Sequence, residues 1–421
     1  MSDPIEVADP EVADLIAAEN GRQSRGIQLI ASENYAPISV MEASGSVFTN
    51  KYAEGYPFKR YYEGCETTDQ LEQLAIDRAK TLFGVEWANV QPHSGSTANM
   101  GVYTALLEHG DTVLGMALDH GGHLTHGSHV NFSGIDYNFV SYSLDPDTER
   151  IDMDQVELLA KEHRPKMIVV GYSSYSRHLD YERFRAIADE VDAIMMVDAA
   201  HFIGLVAGKA MPNPAGWADV VTCTTHKALR GPRGGMIMGK QEFGQKIDKA
   251  VFPGIQGGAV FSQIAGKAVC FHLCSQPAFQ AYATQILANA SALAEGLMDG
   301  GLRLVSGGTD NHLMLGDTRS IDEELTGKLA ASTLDEVGIT LNRNAIPNDP
   351  RKPWITSGIR LGTPSVTSAG MKEPQMAIIA DLITRTLNQI GNPGSLKDVA
   401  AATADLMDQF PPYPSDFTGH V

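Results

Sequence analysis

Ala218-Asp219-Val220-Val221-Thr222 runs directly into Cys223-Thr224-Thr225-His226-Lys227-Ala228-Leu229-Arg230-Gly231-Pro232-Arg233-Gly234-Gly235. The first five residues have the apolar, β-branched character of a buried strand, and the Gly/Pro-rich remainder that of a tight loop. A surface lysine would sit among polar, helix-forming neighbours, whereas Lys227 follows a buried strand. Burial lowers an ammonium pKa and makes the amine nucleophilic, so Lys227 is a candidate to form a Schiff base with a carbonyl cofactor. Alone, the stretch reads equally well as a structural loop that happens to carry a lysine.

Working outward, Ala193-Ile194-Met195-Met196-Val197 reads as a central strand of a parallel sheet and ends in Asp198. A carboxylate at that edge faces the ligand crevice of an open α/β sheet, although Asp there also serves as a helix N-cap. Together, Lys227 and Asp198 suit pyridoxal phosphate, whose ring becomes an electron sink when an acid keeps its nitrogen protonated. Its phosphate would lie on Ser94-Gly95-Ser96-Thr97-Ala98-Asn99, between a strand-like run over 87–91 and a helical stretch over 98–108. Free N–H groups at a helix start and several hydroxyls make an anion cup, and the same residues make an ordinary helix cap. No dinucleotide fingerprint or P-loop occurs in the required context. His120, His123, His126 and His129 recur every three residues, but that spacing drifts around a helix and the glycines among them break one, so the four do not converge and no metal is expected. Stacking of one imidazole of this run on the flat ring is the preferred use.

Further strand-like runs at 112–116, 166–171, 193–198 and 219–222 alternate with helical patterns at 70–82 and 152–163. That alternation predicts an α/β fold with a mostly parallel sheet and helices on both faces. Residues 1–27 read as a helical arm too polar to form its own core and suited to packing on a partner subunit. Residues 28–280 read as a large cofactor-binding domain, and 281–421 as a smaller α+β domain.

The net charge of −19 and pI near 5.0 argue against nucleic-acid or anionic-membrane binding. Cys65, Cys223, Cys270 and Cys274 lack disulfide-framework or metal-knuckle spacing, which suits a reducing cytoplasm. Met1-Ser2-Asp3-Pro4-Ile5-Glu6 has neither an apolar signal core nor a transit pattern, and no long apolar span follows.

Leu29-Ile30-Ala31-Ser32-Glu33-Asn34, Asn50-Lys51-Tyr52-Ala53-Glu54-Gly55-Tyr56-Pro57, Lys59-Arg60-Tyr61-Tyr62, the His-Gly-Gly-His-Leu-Thr-His-Gly run from His120, the Thr-His-Lys loop and Thr356-Ser357-Gly358-Ile359-Arg360-Leu361-Gly362-Thr363-Pro364 occur in that order. With these motifs the chain closely resembles the serine hydroxymethyltransferase family of fold-type I pyridoxal-phosphate enzymes over nearly its whole length. The resemblance implies that Lys227 forms the internal aldimine, Asp198 pairs with the ring nitrogen, His123 stacks on the ring and His201 lies near the phenolic oxygen. It assigns Ser173 to the cofactor and Ser94, Gly95 and Ser96 to the phosphate, joined by Gly257 and Gly258 of a neighbouring subunit. Arg360 would clamp the substrate carboxylate, aided by Ser32, while Tyr52, Tyr62 and the proton-transfer residue Glu54 approach the substrate. Thr224 and His226 are counted with the catalytic set, and Glu54, Tyr61, Leu118, Gly122, His123 and Leu124 with the tetrahydrofolate site. A homodimer with shared active sites is implied, a tetramer being the other assembly the family allows.

Departures from the family pattern bear on substrate choice. Ala228 stands for the usual Thr, Ala199 for Met, Asp119 for a small residue and Ile255 for Gly, and Lys352 and Trp354 flank Pro353 where a smaller polar residue and Phe are common. Serine with glycine as product is the default pair. Conversion of 2-methylserine to D-alanine is the alternative that extra space near Ala199 and Ala228 would serve, and a folate-independent aldolase of β-hydroxy amino acids is a third. A non-catalytic or RNA-binding relative is disfavoured by the complete Lys227, Asp198, His201 and Arg360 set and by the acidic balance.

Overall fold

Seven strands, Trp87–Asn89 (β1), Thr112–Met116 (β2), Asn138–Tyr142 (β3), Met167–Gly171 (β4), Ile194–Asp198 (β5), Val220–Thr224 (β6) and Gly235–Gly239 (β7), form one sheet in the order β1-β7-β6-β5-β4-β2-β3. Only β7 runs against its neighbours, β1 and β6, and every other adjacent pair is parallel. The computed structural model describes residues 4–419, so the reading of Met1 to Asp3 falls outside it.

Successive side chains on a strand point to opposite faces, and the sheet is apolar on both. Leu114, Ile168, Val170, Met195, Val197 and Val221 enter one core; Val113, Met167, Val169, Met196 and Val220 enter the other. The helix Gly95–Leu106 covers the second face with Ala98, Val102 and Tyr103, while Glu66–Phe83, Tyr181–Val191 and Phe261–Cys274 contribute to the first. Two strands were not expected. β3 (Asn-Phe-Val-Ser-Tyr) is an edge strand with half-exposed positions, and β7 (Gly-Met-Ile-Met-Gly) emerges from the glycine-rich loop that hides its start.

A second sheet is antiparallel: Arg303–Leu304 (β8), Leu313–Asp317 (β9), Asn342–Asn344 (β10) and Gly358–Gly362 (β11), in the order β8-β9-β11-β10. Its core takes Leu293, Leu297, Leu361, Ile379 and Ile383, together with Ile27 and Leu29. Ile27–Gln28 reaches this layer by pairing in parallel with Ile339–Thr340. One helix, Pro277–Asp299, joins the two bodies, with Phe279, Ala283 and Ile286 in the large core and Ala290 to Leu297 in the small one.

The arm consists of the helices Pro4–Ala8 and Pro10–Arg25; Asp9 caps the second, accepting from the Val12 N–H at 3.2 Å. It meets its own chain's C-terminal segment where Asn20 Nδ2 donates to the Phe417 carbonyl at 2.9 Å. Val7, Val12 and Leu15 are left exposed.

Candidate active site

The carboxyl ends of the parallel strands converge on a cavity of about 380 Å³, the usual ligand position in such a sheet. Ser173 follows β4, Asp198 ends β5, Thr224 ends β6, and His226 and Lys227 lie in the loop beyond. Ser32, Ser94, Gly95, Ser96, His123, His201 and Arg360 complete the expected lining. Ser94 caps the helix Gly95–Leu106 through the Thr97 N–H at 3.1 Å. Gly95 is required there, because a Cβ would stand 2.7 Å from Thr224 Cγ2.

Asp198 is buried and held by three donors. Asn99 Nδ2 and His126 Nε2 reach Oδ2 at 2.9 and 3.0 Å, and the Ala200 N–H reaches Oδ1 at 3.1 Å. His126 Nδ1 accepts from the His123 N–H at 3.1 Å, so its proton sits on Nε2 and points at the carboxylate. Thr222 Oγ1 in turn donates to Asn99 Oδ1 at 2.6 Å. Burial opposes ionisation, but the hydrogen bonds from His126 and Asn99 outweigh it and hold the Asp198 carboxyl well below the usual range. A fixed anion at a strand end is what a pyridinium needs as partner.

Near this anion His123, His201 and His226 are held neutral. Burial pushes His123 down to about 4 and His226 to about 3, and holds His201 well below its ordinary value with Lys227 and Arg360 adding to the effect. His201 stacks on His312, ring centroids 5.7 Å apart.

Lys227 is half-buried in the cavity wall, and desolvation brings its ammonium down to about 8; Asp198 opposes the shift, while Arg360 and Arg233 add to it. The reactive form is the free amine, which rises from about a tenth of the population at pH 7 to about nine-tenths at pH 9. Capture of pyridoxal phosphate by the cofactor-free protein, followed by absorbance, should therefore quicken about tenfold over that interval and level off. A climb approaching a hundredfold without a plateau would indicate an ordinary lysine.

Arg360 lies on β11, where Nε donates to Asn342 Oδ1 at 3.1 Å and Nη1 to the Ser173 carbonyl at 2.7 Å. These bonds orient the guanidinium while other N–H groups remain for a carboxylate. Burial lowers its pKa to about 10, which leaves it charged at neutral pH. Arg360→Lys should cost about 1.5–3 kcal/mol of substrate binding, a rise of roughly ten- to 150-fold in KM. An unchanged KM for the amino acid would place the carboxylate elsewhere.

A second cavity, about 330 Å³, adjoins the first through His123, Ser173 and Arg360, and is lined by Leu118, Gly122 and Leu124 together with Arg343, Asn344 and Pro353. The remaining expected residues form a separate cluster that does not line the Lys227 cavity of their own chain. Tyr52 Oη donates to Glu54 Oε1 at 3.1 Å and its ring meets Tyr62 edge-on at 5.4 Å; Gly257 and Gly258 lie against the same two side chains, Tyr52 and Glu54 between them. Tyr61 packs nearby on Phe252. Tyr52, Tyr61 and Tyr62 are 57%, 75% and 47% exposed.

Sequence reasoning missed Asn99, His126, Thr222, Glu33 and Arg233. Asn99 and His126 lay inside quoted motifs, but only the folded chain brings them onto Asp198. Glu33 and Arg233 line the main cavity. The sequence model of the family described as serine hydroxymethyltransferase matches residues 5–383. The chain therefore belongs to the serine hydroxymethyltransferase family, pyridoxal-phosphate-dependent enzymes of fold type I that use tetrahydrofolate as co-substrate.

Proposed function

We propose that the Lys227 cavity transfers the hydroxymethyl group of serine to tetrahydrofolate, leaving glycine. The observation that carries this reading is the meeting of Lys227, the ionised Asp198 and Arg360 on one cavity that opens into a second through His123 and Ser173. The donor set fits pyridoxal phosphate: a desolvated amine, a fixed carboxylate, and a helix start left open by Gly95. When bound, the cofactor supplies the sink for the electron pair left on the substrate's α-carbon.

This chain's own residues then divide the work. Ser94, Gly95 and Ser96 would hold the phosphate, Asp198 would keep the ring nitrogen protonated, and His123 would lie against the ring. Neutral His201 and His226 add no competing charge beside it. Arg360 and Ser32 hold the substrate carboxylate, so that the bond to the hydroxymethyl carbon is presented in one orientation. Glu54 of a partner subunit handles the hydroxyl proton, with Tyr52 and Tyr62 beside it. The exposed tyrosine cluster, outside its own chain's cavity, supports this shared site and a homodimer. Four unpaired thiols support a reducing, cytoplasmic setting. Among the described residues, no helix is long and apolar enough to cross a membrane.

The second reading is 2-methylserine as donor with D-alanine as product, motivated by Ala199 and Ala228. Both are buried, next in sequence to Asp198 and Lys227, and neither lines the cavity. Assaying each amino acid with and without tetrahydrofolate tests both. Serine turnover that requires tetrahydrofolate is expected. Turnover of 2-methylserine alone would replace the first reading with the second, and equal rates without tetrahydrofolate would make the protein an aldolase.

A further inference from the structure

Cys270 and Cys274 occupy successive turns of the helix Phe261–Cys274 and border a cavity of about 360 Å³, away from the cofactor cavity. Leu229, Leu273, Phe279 and Tyr282 form much of its remaining wall. The two residues are 1% and 3% exposed, both are free thiols, and their sulfurs are 3.9 Å apart.

That spacing disfavours one reaction and suits another. A disulfide brings its sulfurs to about 2.05 Å and its Cβ atoms to roughly 3.5–4.5 Å. Residues four apart on a helix keep their Cβ atoms about 5–6 Å apart, so closing the bond would distort the turn. A single soft atom bonded to both sulfurs at about 2.3 Å would span roughly 3.4 Å at a pyramidal angle and roughly 3.8 Å at a tetrahedral one, so the sulfurs need to close by a few tenths of an ångström at most. A bare metal ion would lack its third and fourth ligands here, and among the described residues no three His, Cys, Asp or Glu side chains form a metal-binding group. An organic arsenic(III) centre brings its own third bond, carries no charge once bound, and has an apolar group to lay against Leu273 and Phe279.

We propose that Cys270 and Cys274 form a dithiol site for trivalent organic arsenicals. In the reaction two As–S bonds form and two As–OH bonds break. Each thiol proton leaves with a hydroxide as water, and arsenic stays trivalent, so no oxidant or reductant is needed. The site abuts the catalytic loop, since both sulfurs donate to the Leu229 carbonyl, at 3.4 and 3.6 Å, two residues beyond Lys227.

The cofactor-loaded enzyme is treated with phenylarsine oxide in excess 2-mercaptoethanol, which strips arsenic held by one thiol, and its intact mass is read. One phenylarsenic unit per chain, less two hydrogens, is expected, with release by 2,3-dimercaptopropanol. The adduct should persist in the Cys65→Ala, Cys223→Ala double variant and vanish in Cys270→Ser and in Cys274→Ser. A protection measurement on the parent serves if either serine variant fails to fold: Cys270 and Cys274 should resist alkylation after denaturation in iodoacetamide, while Cys65 and Cys223 react. No adduct on the parent, an adduct surviving loss of either thiol, or protection of other cysteines would overturn the assignment.

Discussion

Lys227→Ala is expected to lose at least about 10²–10⁴-fold in turnover, the range associated with removing a positioned proton-transfer group, and to lose its covalent hold on the cofactor as well. Borohydride reduction of the cofactor-loaded parent, followed by peptide mapping, should find the pyridoxyl group on Lys227. The discriminating competitor is Lys267, a deeply buried lysine whose ammonium burial also lowers, to about 7. Its Nζ donates to the carbonyls of Val90, Gly235 and Pro92 at 2.6, 2.8 and 3.2 Å, so its three N–H groups are committed beneath the phosphate loop. Lys227 instead lines the cavity with Asp198 and Arg360. Label on Lys267, or on any third lysine, would sink the assignment.

The contrast between these lysines explains what could be read in the sequence. Lys227 announces itself because its neighbours change character within a few residues, from an apolar strand to a glycine-rich loop. Lys267 sits in a helix of ordinary composition, and its carbonyl partners come from two distant strand ends and the adjoining loop. Asp198 was legible for the reason Lys227 was, as the first polar residue after a buried run. Its partners were not, since Asn99 and His126 lie 99 and 72 residues away and reach it only once the sheet is assembled. Strands β2, β4, β5 and β6 were legible because buried parallel strands are continuous apolar runs. β3 was obscured by its polar, half-exposed positions and β7 by its two glycines. For Glu54 and the tyrosines, the family motifs supplied a role that the local residues do not.

Mixing Lys227→Ala chains with Glu54→Ala chains, each inactive alone, is expected to restore activity. The expectation rests on the separation between the Tyr52, Glu54 and Tyr62 cluster and the cavity of the same chain, and on the exposure of those tyrosines. If Glu54 serves a partner's site, a hybrid dimer holds one site with both lesions and one with neither. The intact site should run at full rate, so each hybrid should recover up to roughly half of the parent's activity if the two sites act independently. Differently tagged chains allow hybrids to be isolated and exchange to be verified before assay. Alanine at position 54 also removes the acceptor of the Tyr52 hydroxyl, so a Glu54→Gln chain, which keeps an acceptor but cannot act as a carboxylate, should complement Lys227→Ala equally well. If Glu54 acted within its own chain, every site in the hybrid would carry one lesion. Verified hybrids as inactive as their parents would then show that the exposed cluster folds back onto its own cavity, and that the shared site is wrong.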